Sequence, residues 1–354
     1  MTSYWQRAAD IRIAPHAEIP LKLISVVIIG RNEAGNIKAC LESISQNEYP
    51  IDSYEIIFID DHSEDDTLTV VHDMDISNLK IFALSDVGSI SGKKAALQYA
   101  ISQSNGELIA CTDADCTVTP QWLKVVNQSL RLTSQSMITQ LIGYEDHETI
   151  LSRFQSLDLM ATMAFNLYGI NQKIFYSANG ANMAFRKSAY QKGDFSSELA
   201  SGDDVFLINA MASRDVHSVR FIKSKLSIVT TRPERTFREL KHQRKRWATK
   251  SKAYPSGGLF RIQAYILMFH LYIVTNLIIG FYYWPIMIFT GLFALFLKGI
   301  VDYFLLNEVS QYYNQPKALK WYVLSFLLFF PYILLMAFYA LFGKGIYWKG
   351  RELE

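Results

Sequence analysis

Two aspartates one residue apart close an apolar run in Leu108-Ile109-Ala110-Cys111-Thr112-Asp113-Ala114-Asp115-Cys116. A short apolar run with polar flanks predicts a buried strand, and residues two apart on a strand face the same way. Asp113 and Asp115 are therefore expected to present hard oxygen donors together, the chemistry that suits Mg2+ or Mn2+. An Asp-rich turn that caps the helix after Pro120 accounts for the same spacing without a ligand. Other polar clusters also follow apolar runs: Glu33 after Ile24–Gly30, and Asp60-Asp61-His62-Ser63-Glu64-Asp65-Asp66-Thr67 after Tyr54–Ile59. Gly92-Lys93-Lys94 follows the run Leu79–Leu84, and Asp203-Asp204 precedes Val205-Phe206-Leu207. Each has a plainer reading beside the chemical one: Asp60-Asp61 and Asp203-Asp204 as helix caps, and Lys93-Lys94 as a solvated helix start.

The elements that must position these groups alternate as strand, helix, strand, helix. That order predicts an α/β domain with a mostly parallel sheet, right-handed crossovers and helices on both faces. Every cluster up to Asp115 follows a strand, so these are expected at one edge of the sheet, where open α/β sheets bind ligands. No G-x-G-x-x-G follows the first strand, and Gly92-Lys93-Lys94 lacks the glycine spacing of a phosphate-binding P-loop. A dinucleotide-binding domain and a P-loop NTPase are thus disfavoured. The three cysteines, Cys40, Cys111 and Cys116, form no disulfide framework. They read as reduced packing residues, and Cys111 and Cys116 with the aspartates make a poor zinc site.

The ordered set Asn32-Glu33, Asp60–Thr67, Gly92-Lys93 and Thr112-Asp113-Ala114-Asp115 resembles a family-2 glycosyltransferase of GT-A fold. Asn179-Gly180-Ala181-Asn182-Met183-Ala184-Phe185-Arg186 is similar to that family's acceptor-side strand, and Ser201–Leu207 to its acidic base motif. Gln243-Arg244-Lys245-Arg246-Trp247 is similar to the Q-x-x-R-W signature of its membrane-linked members. The likeness covers Leu23 to Trp247. It implies inverting transfer of a sugar from a nucleotide diphosphate donor, a UDP-sugar by preference, to a hydroxyl. It also implies a Mg2+ or Mn2+ cofactor on Asp113 and Asp115, and a nucleotide site at Glu33, Asp60, Asp61, Lys93 and Asp113. Asp204 becomes the general base, Arg246 a phosphate donor group, and Gln243 and Trp247 further active-site members. The base motif departs from the usual Glu-Asp by reading Asp203-Asp204. Asp204 is aligned with the base because Val205-Phe206-Leu207 follows it; on a helix, Asp203 would point about 100° away.

The formal net charge of +2 in 354 residues is unevenly spread. Arg and Lys crowd Thr231–Lys252, which predicts an interfacial helix on anionic lipid; nucleic-acid binding is not expected. Trp247 suits both a membrane-interface anchor and an acceptor platform. Two or three spans follow, about 263–281, 284–305 and 321–342, each near the ~20 residues a bilayer needs. Lys298 and Asp302 make the second the least secure. The expected layout is an N-terminal extension (1–22), a GT-A catalytic domain (23–230), a basic interfacial segment (231–258) and a membrane domain with a basic tail (259–354). Met1–Pro20 has no apolar stretch of signal-peptide length. The positive-inside rule then sets the catalytic domain on the cytosolic face of the inner membrane. Three spans would put the basic tail on the wrong side, so one segment is expected to be re-entrant or interfacial. So few spans favour a membrane lipid as acceptor, with the apolar Ile150–Ile170 segment either core or acceptor path. A polysaccharide synthase subunit and a non-catalytic sugar-nucleotide-binding scaffold are the rival classes.

Overall fold

The structure, a computed structural model, describes residues 1–11, 20–88, 91–131, 133–145, 148–191, 193–194, 203–250, 257–342, 346–348 and 351–353. The chain opens with α1 (Thr2–Arg7), β1 (Ile24–Gly30), α2 (Ile37–Ser45), β2 (Tyr54–Asp60), α3 (Thr67–His72) and β3 (Leu79–Ala83). It continues with α4 (Lys93–Gln103), β4 (Leu108–Asp113), α5 (Trp122–Arg131), β5 (Met137–Gln140), β6 (Ile142–Tyr144) and α6 (Ile150–Asn171). Then come β7 (Met183–Arg186), α7 (Asp203–Arg214), β8 (Val219–Ile222), β9 (Val229–Thr231) and α8 (Phe237–Lys250). Three long apolar helices follow, α9 (Gly257–Tyr282), α10 (Ile286–Tyr312) and α11 (Tyr322–Phe342). The chain divides into two compact units, one of Met1–Arg7, Asp146–Tyr168 and Pro233–Tyr347, the other of Ala8–Glu145, Gly169–Arg232 and Trp348–Glu354.

The second unit is built on a seven-stranded sheet in the order β3-β2-β1-β4-β7-β5-β8. β3, β2, β1 and β4 are parallel, as are β5 and β8. β7 runs antiparallel to both its neighbours, the one break in a mostly parallel sheet. β1 and β2 are apolar and buried along nearly their whole length, the pattern of strands covered on both faces. Register does the positioning. Gly30 lies level with Asp60, and Ile29 with Asp113, so β1, β2 and β4 release their loops along one line. Because β7 is reversed, its first residue, Met183, pairs with Cys111, and Gly180–Asn182 enter at this same edge. Antiparallel β7 thus brings its preceding loop to the strand ends that carry the acids.

The first unit is helical. α9 and α10 pack along each other as an antiparallel hairpin. Small residues allow the approach: a Cβ on Gly280 would lie 2.6 Å from Ile288. Thr290 Oγ1 donates to Asn276 Oδ1 at 2.8 Å across the pair. α1, which the sequence reading left as a polar extension, is anchored by buried Trp5 edge-on to Tyr312, with ring centroids 5.5 Å apart. All three long helices are apolar and long enough to cross a membrane. α6 packs Phe154 on Phe329 and Tyr332.

Candidate active site

The loops after β1 and β2 are stitched to each other before any ligand is considered. Arg31, 4% exposed, donates from Nη1 to the carbonyls of Asp61 (3.0 Å) and His62 (2.5 Å), and from Nη2 to Glu64 Oε1 (2.7 Å). Asn32 N–H donates to Ser63 Oγ, and Glu64 N–H to Asn32 Oδ1. Asn32 and His62 both hold positive φ, 53° and 59°, a region that L residues seldom adopt. Glu33 donates its N–H to Thr67 Oγ1 at 2.7 Å, and its Oε2 accepts from Asn36 Nδ2. Asp60 and Asp61 are buried. Asp60 Oδ2 accepts from Ser63 N–H at 3.0 Å, while Asp60 Oδ1 is buried with no hydrogen-bond partner among the described residues. Asp61 takes the Gly92 N–H on both oxygens, at 3.0 and 3.2 Å. Gly92 sits at φ +94°, which is why a glycine precedes α4.

That bond places Lys93, the first residue of α4, beside β4. Lys93 Nζ lies 2.5 Å from Asp113 Oδ1, and both side chains are about one-third exposed. Asp113, Asp115 and Cys116 offer donor atoms within 4.8 Å of one another. The loop carrying them is held rigidly: Thr117 and Thr230 exchange backbone hydrogen bonds at 2.8 and 2.9 Å, and Thr119 Oγ1 donates to the Leu226 carbonyl. The cysteines are free and buried. Burial first, then the Asp115 and Asp113 carboxylates, push the Cys116 thiol well up; burial pushes the Cys111 thiol up to about 12. The exposed donors of the cluster are therefore carboxylate oxygens, a hard set that fits a hard divalent cation.

The third component arrives from β7 and α7. Gly180 N–H donates to Asp204 Oδ2 at 2.9 Å, and Val205 N–H to Asp204 Oδ1 at 2.9 Å, fixing the carboxylate at the start of α7. A Cβ on Gly180 would lie 3.3 Å from Lys93 Nζ and 3.8 Å from Asp204 Oδ2. One glycine thus borders both the Lys93–Asp113 pair and Asp204. Ser201 and Gly202 of the expected base motif lie outside the described residues.

Glu33, Asp60, Asp61, Lys93, Asp113, Asp115 and Asp204 therefore converge within the sheet unit. Gln243, Arg246 and Trp247 belong to α8 in the helical unit. Gln243 Nε2 donates to Glu234 Oε1 at 2.7 Å, and the Arg244 guanidinium lies 4.2 Å over the Trp247 ring. Arg244 also pairs with Asp158 at 2.9 Å, both side chains nearly buried, whereas Arg246 is half-buried. Sequence reasoning passed over Arg31 and the Gly92 and Gly180 amides. The only signal for Arg31 was a cation directly after a buried strand.

Residues 25–193 match the model of glycosyl transferase family 2, and the chain carries a family-2 glycosyltransferase domain. It is 28% identical over 190 residues to the glycosyltransferase AglE of Haloferax volcanii, covering 52% of this chain and 60% of that protein. It is 27% identical over 236 residues to the probable glycosyltransferase YdaM of Bacillus subtilis, covering 64% of this chain and 55% of that protein. The matches span between 55% and 60% of the length of these two relatives. Among solved structures, the mannosyltransferase PcManGT of Pyrobaculum calidifontis, in complex with GDP-Man and Mn2+, shares the fold. Its TM-score is 0.58 at 17% identity, over 97% of this chain and 93% of that one.

Proposed function

We propose that the chain is an inverting, metal-dependent glycosyltransferase that moves a sugar from a nucleotide diphosphate to a hydroxyl of a membrane lipid. The observation that carries this is the placement of Gly180 between Lys93 and Asp204, because it joins a donor-side cation to an acceptor-side carboxylate. Asp113 and Asp115 would hold Mg2+ or Mn2+, which supplies Lewis-acid neutralisation of the charge on the leaving diphosphate. Lys93 adds a positive charge beside the same oxygens. Asp204, its carboxylate plane set by two backbone N–H groups, takes the proton of the acceptor hydroxyl as that hydroxyl attacks. Attack from the face opposite the diphosphate inverts the anomeric carbon.

Asp60 Oδ1 supports a nucleotide reading of the β2 edge. A buried acceptor without a protein donor is costly unless a ligand fills the role, and a nucleobase N–H would fill it. Asp61 and Glu33 complete the base and ribose side. The PcManGT complex with GDP-Man keeps guanine open beside uracil. Arg246, Gln243 and Trp247 are assigned active-site roles solely by their likeness to the family signature.

The lipid acceptor and the membrane location rest on three apolar helices and the basic α8. A further relative, a beta-monoglucosyldiacylglycerol synthase of Trichormus variabilis, is 30% identical over 105 residues, 29% of this chain and 22% of that protein. The basic α8 directs the catalytic domain to the cytosolic face of the inner membrane. The test is a donor screen scored by nucleotide diphosphate release, with total membrane lipid as acceptor. A labelled glycolipid is the expected product, and a polymer would overturn the lipid reading. Asp204→Asn is expected to lower transfer roughly 10²–10⁴-fold while donor binding persists; equal loss of donor binding would remove the base assignment.

A further inference from the structure

We infer that α11, although apolar enough to cross a bilayer, lies along the membrane plane beneath α8 and leaves α9 and α10 as the only spans among the described residues. The inference rests on the membrane reading above. α9 and α10 pack against each other, with Gly280 beside Ile288, Asn276 beside Thr290 and Ile273 beside Gly291. The described contacts of α11 on α10 instead fall within Lys298–Tyr303: Tyr322 against Tyr303, Tyr322 Oη to the Gly299 carbonyl, and Lys298 Nζ over Phe326 and Phe329. On α9, Phe330 meets His270. These contacts step down the hairpin from Tyr322 to Phe330 only, whereas the described ring contacts of α11 with other helices beyond Phe330 are with α6 and α8; an antiparallel third span would keep to the hairpin along its whole length.

The rest of α11 follows α8. The Nζ atoms of Lys241 and Lys245 each lie 5.9 Å over the Tyr339 ring. Toward the middle of the helix, Tyr332 hydrogen-bonds Asp158, the partner of Arg244. α8 exposes Arg238 and Lys241, and in part Lys245 and Arg246, so this basic face stays at the headgroups. A helix packed along it shares that depth. α11 has no charged residue, so it is submerged below α8 while the lysines reach up past it.

The hairpin confirms the proportion. Beyond Lys298, α10 runs back twelve residues to Ile286, about 18 Å at 1.5 Å per residue. With a helix diameter of about 10 Å for α11, that approaches the ~30 Å hydrocarbon core. The distal residues Phe281, Phe289 and Phe293 are exposed, and Tyr282-Tyr283-Trp284 at the tip suits the far interface. An in-plane α11 also returns the chain after Phe342 to the side of α8, which removes the conflict over the basic tail.

Single cysteines at Tyr283→Cys, Lys317→Cys and Arg351→Cys in the full chain decide the matter. The parent, whose three cysteines are buried, serves as control. In sealed vesicles a membrane-impermeant maleimide is expected to label Lys317→Cys and Arg351→Cys from one side and Tyr283→Cys from the other. Labelling of the Lys317 and Arg351 sites from opposite sides overturns the in-plane helix while the membrane reading stands. Release of the chain by carbonate removes both. A bimane probe at Leu324, Leu328 or Phe338 is then read against lipids brominated at different depths. One depth should quench all three sites to within about twofold; an optimum that moves by roughly 20 Å between Leu324 and Phe338, or no quenching at any site, overturns the inference.

Discussion

The two ends of the sheet each carry a lysine–carboxylate pair, and the pairs differ in what surrounds them. At the strand starts, Glu55 lies 2.6 Å from Lys80 Nζ and also accepts from Ser25 Oγ (2.5 Å), Asn105 N–H (2.6 Å) and Asn105 Nδ2 (3.1 Å). Its side chain is 10% exposed. At the strand ends, Asp113 lies 2.5 Å from Lys93 Nζ, its side chain 32% exposed, with Asp115 exposed beside it. The Glu55 carboxylate is enclosed by its own protein donors and ties β1, β2 and β3 together. The Asp113 pair keeps a face toward solvent and a second carboxylate within reach. The same chemical couple therefore serves architecture at one end and is available to a ligand at the other.

The largest effect expected from this contrast is on turnover. If Asp113 and Asp115 hold the proposed metal, Asp115→Asn should cut sugar transfer at least about 10²-fold, since such an ion would supply several kcal/mol of leaving-group neutralisation. Excess chelator should do the same to the parent chain, and neither should move the unfolding midpoint. A clear fall in stability on Asp115→Asn would erase the distinction between the two ends. Glu55→Ala should show the reverse: a stability loss of about 2–3 kcal/mol, because several buried donors lose their acceptor, with kcat preserved in the folded fraction. Chemical unfolding and nucleotide release measured on one preparation separate the two.

Acidity sharpens the same comparison. Burial alone would raise the Glu55 carboxyl, but hydrogen bonds from Lys80, Ser25 and the Asn105 N–H outweigh it and hold it below its ordinary value of 4.5. A carboxyl lower in the folded than in the unfolded chain stabilises the fold above the unfolded value, and that stability is lost as pH falls through the folded value. The parent should therefore lose stability more steeply below pH 4.5 than Glu55→Gln does, as read from unfolding midpoints across pH 3–6. The smallest effect belongs to Lys80→Met. With the lysine side chain 40% exposed, the ion pair is largely solvent-screened and its loss should cost under about 1 kcal/mol.

Much of the sheet unit was legible because buried parallel strands leave a plain trace: Ile24–Gly30 and Leu108–Asp113 are apolar runs that stop at polar residues. The acids at their ends could be placed on one edge from strand order alone. Long-range hydrogen bonding leaves no such trace. Nothing in the periodicity around Arg31 points to carbonyls 30 residues away, and antiparallel β7 reads like any short apolar strand. α1 was hidden because six residues with one buried tryptophan carry too little pattern. The apolar length of α11 likewise reports how a segment meets lipid but not its direction, which only its neighbours disclose.

Asn32 and His62 sit at left-handed corners where glycine would relieve the backbone. Their side chains do what glycine has no atoms for: Asn32 Oδ1 receives the Glu64 amide, and His62 Nδ1 lies 3.3 Å from Asp61 Oδ1. Replacing Asn32 with glycine would ease a local turn and loosen the link between two loops, whereas replacing His62 would ease its turn and take a neighbour from Asp61. The rim of the sheet thus retains a measure of built-in tension, and shape at the mouth of the site outranks local comfort of the chain.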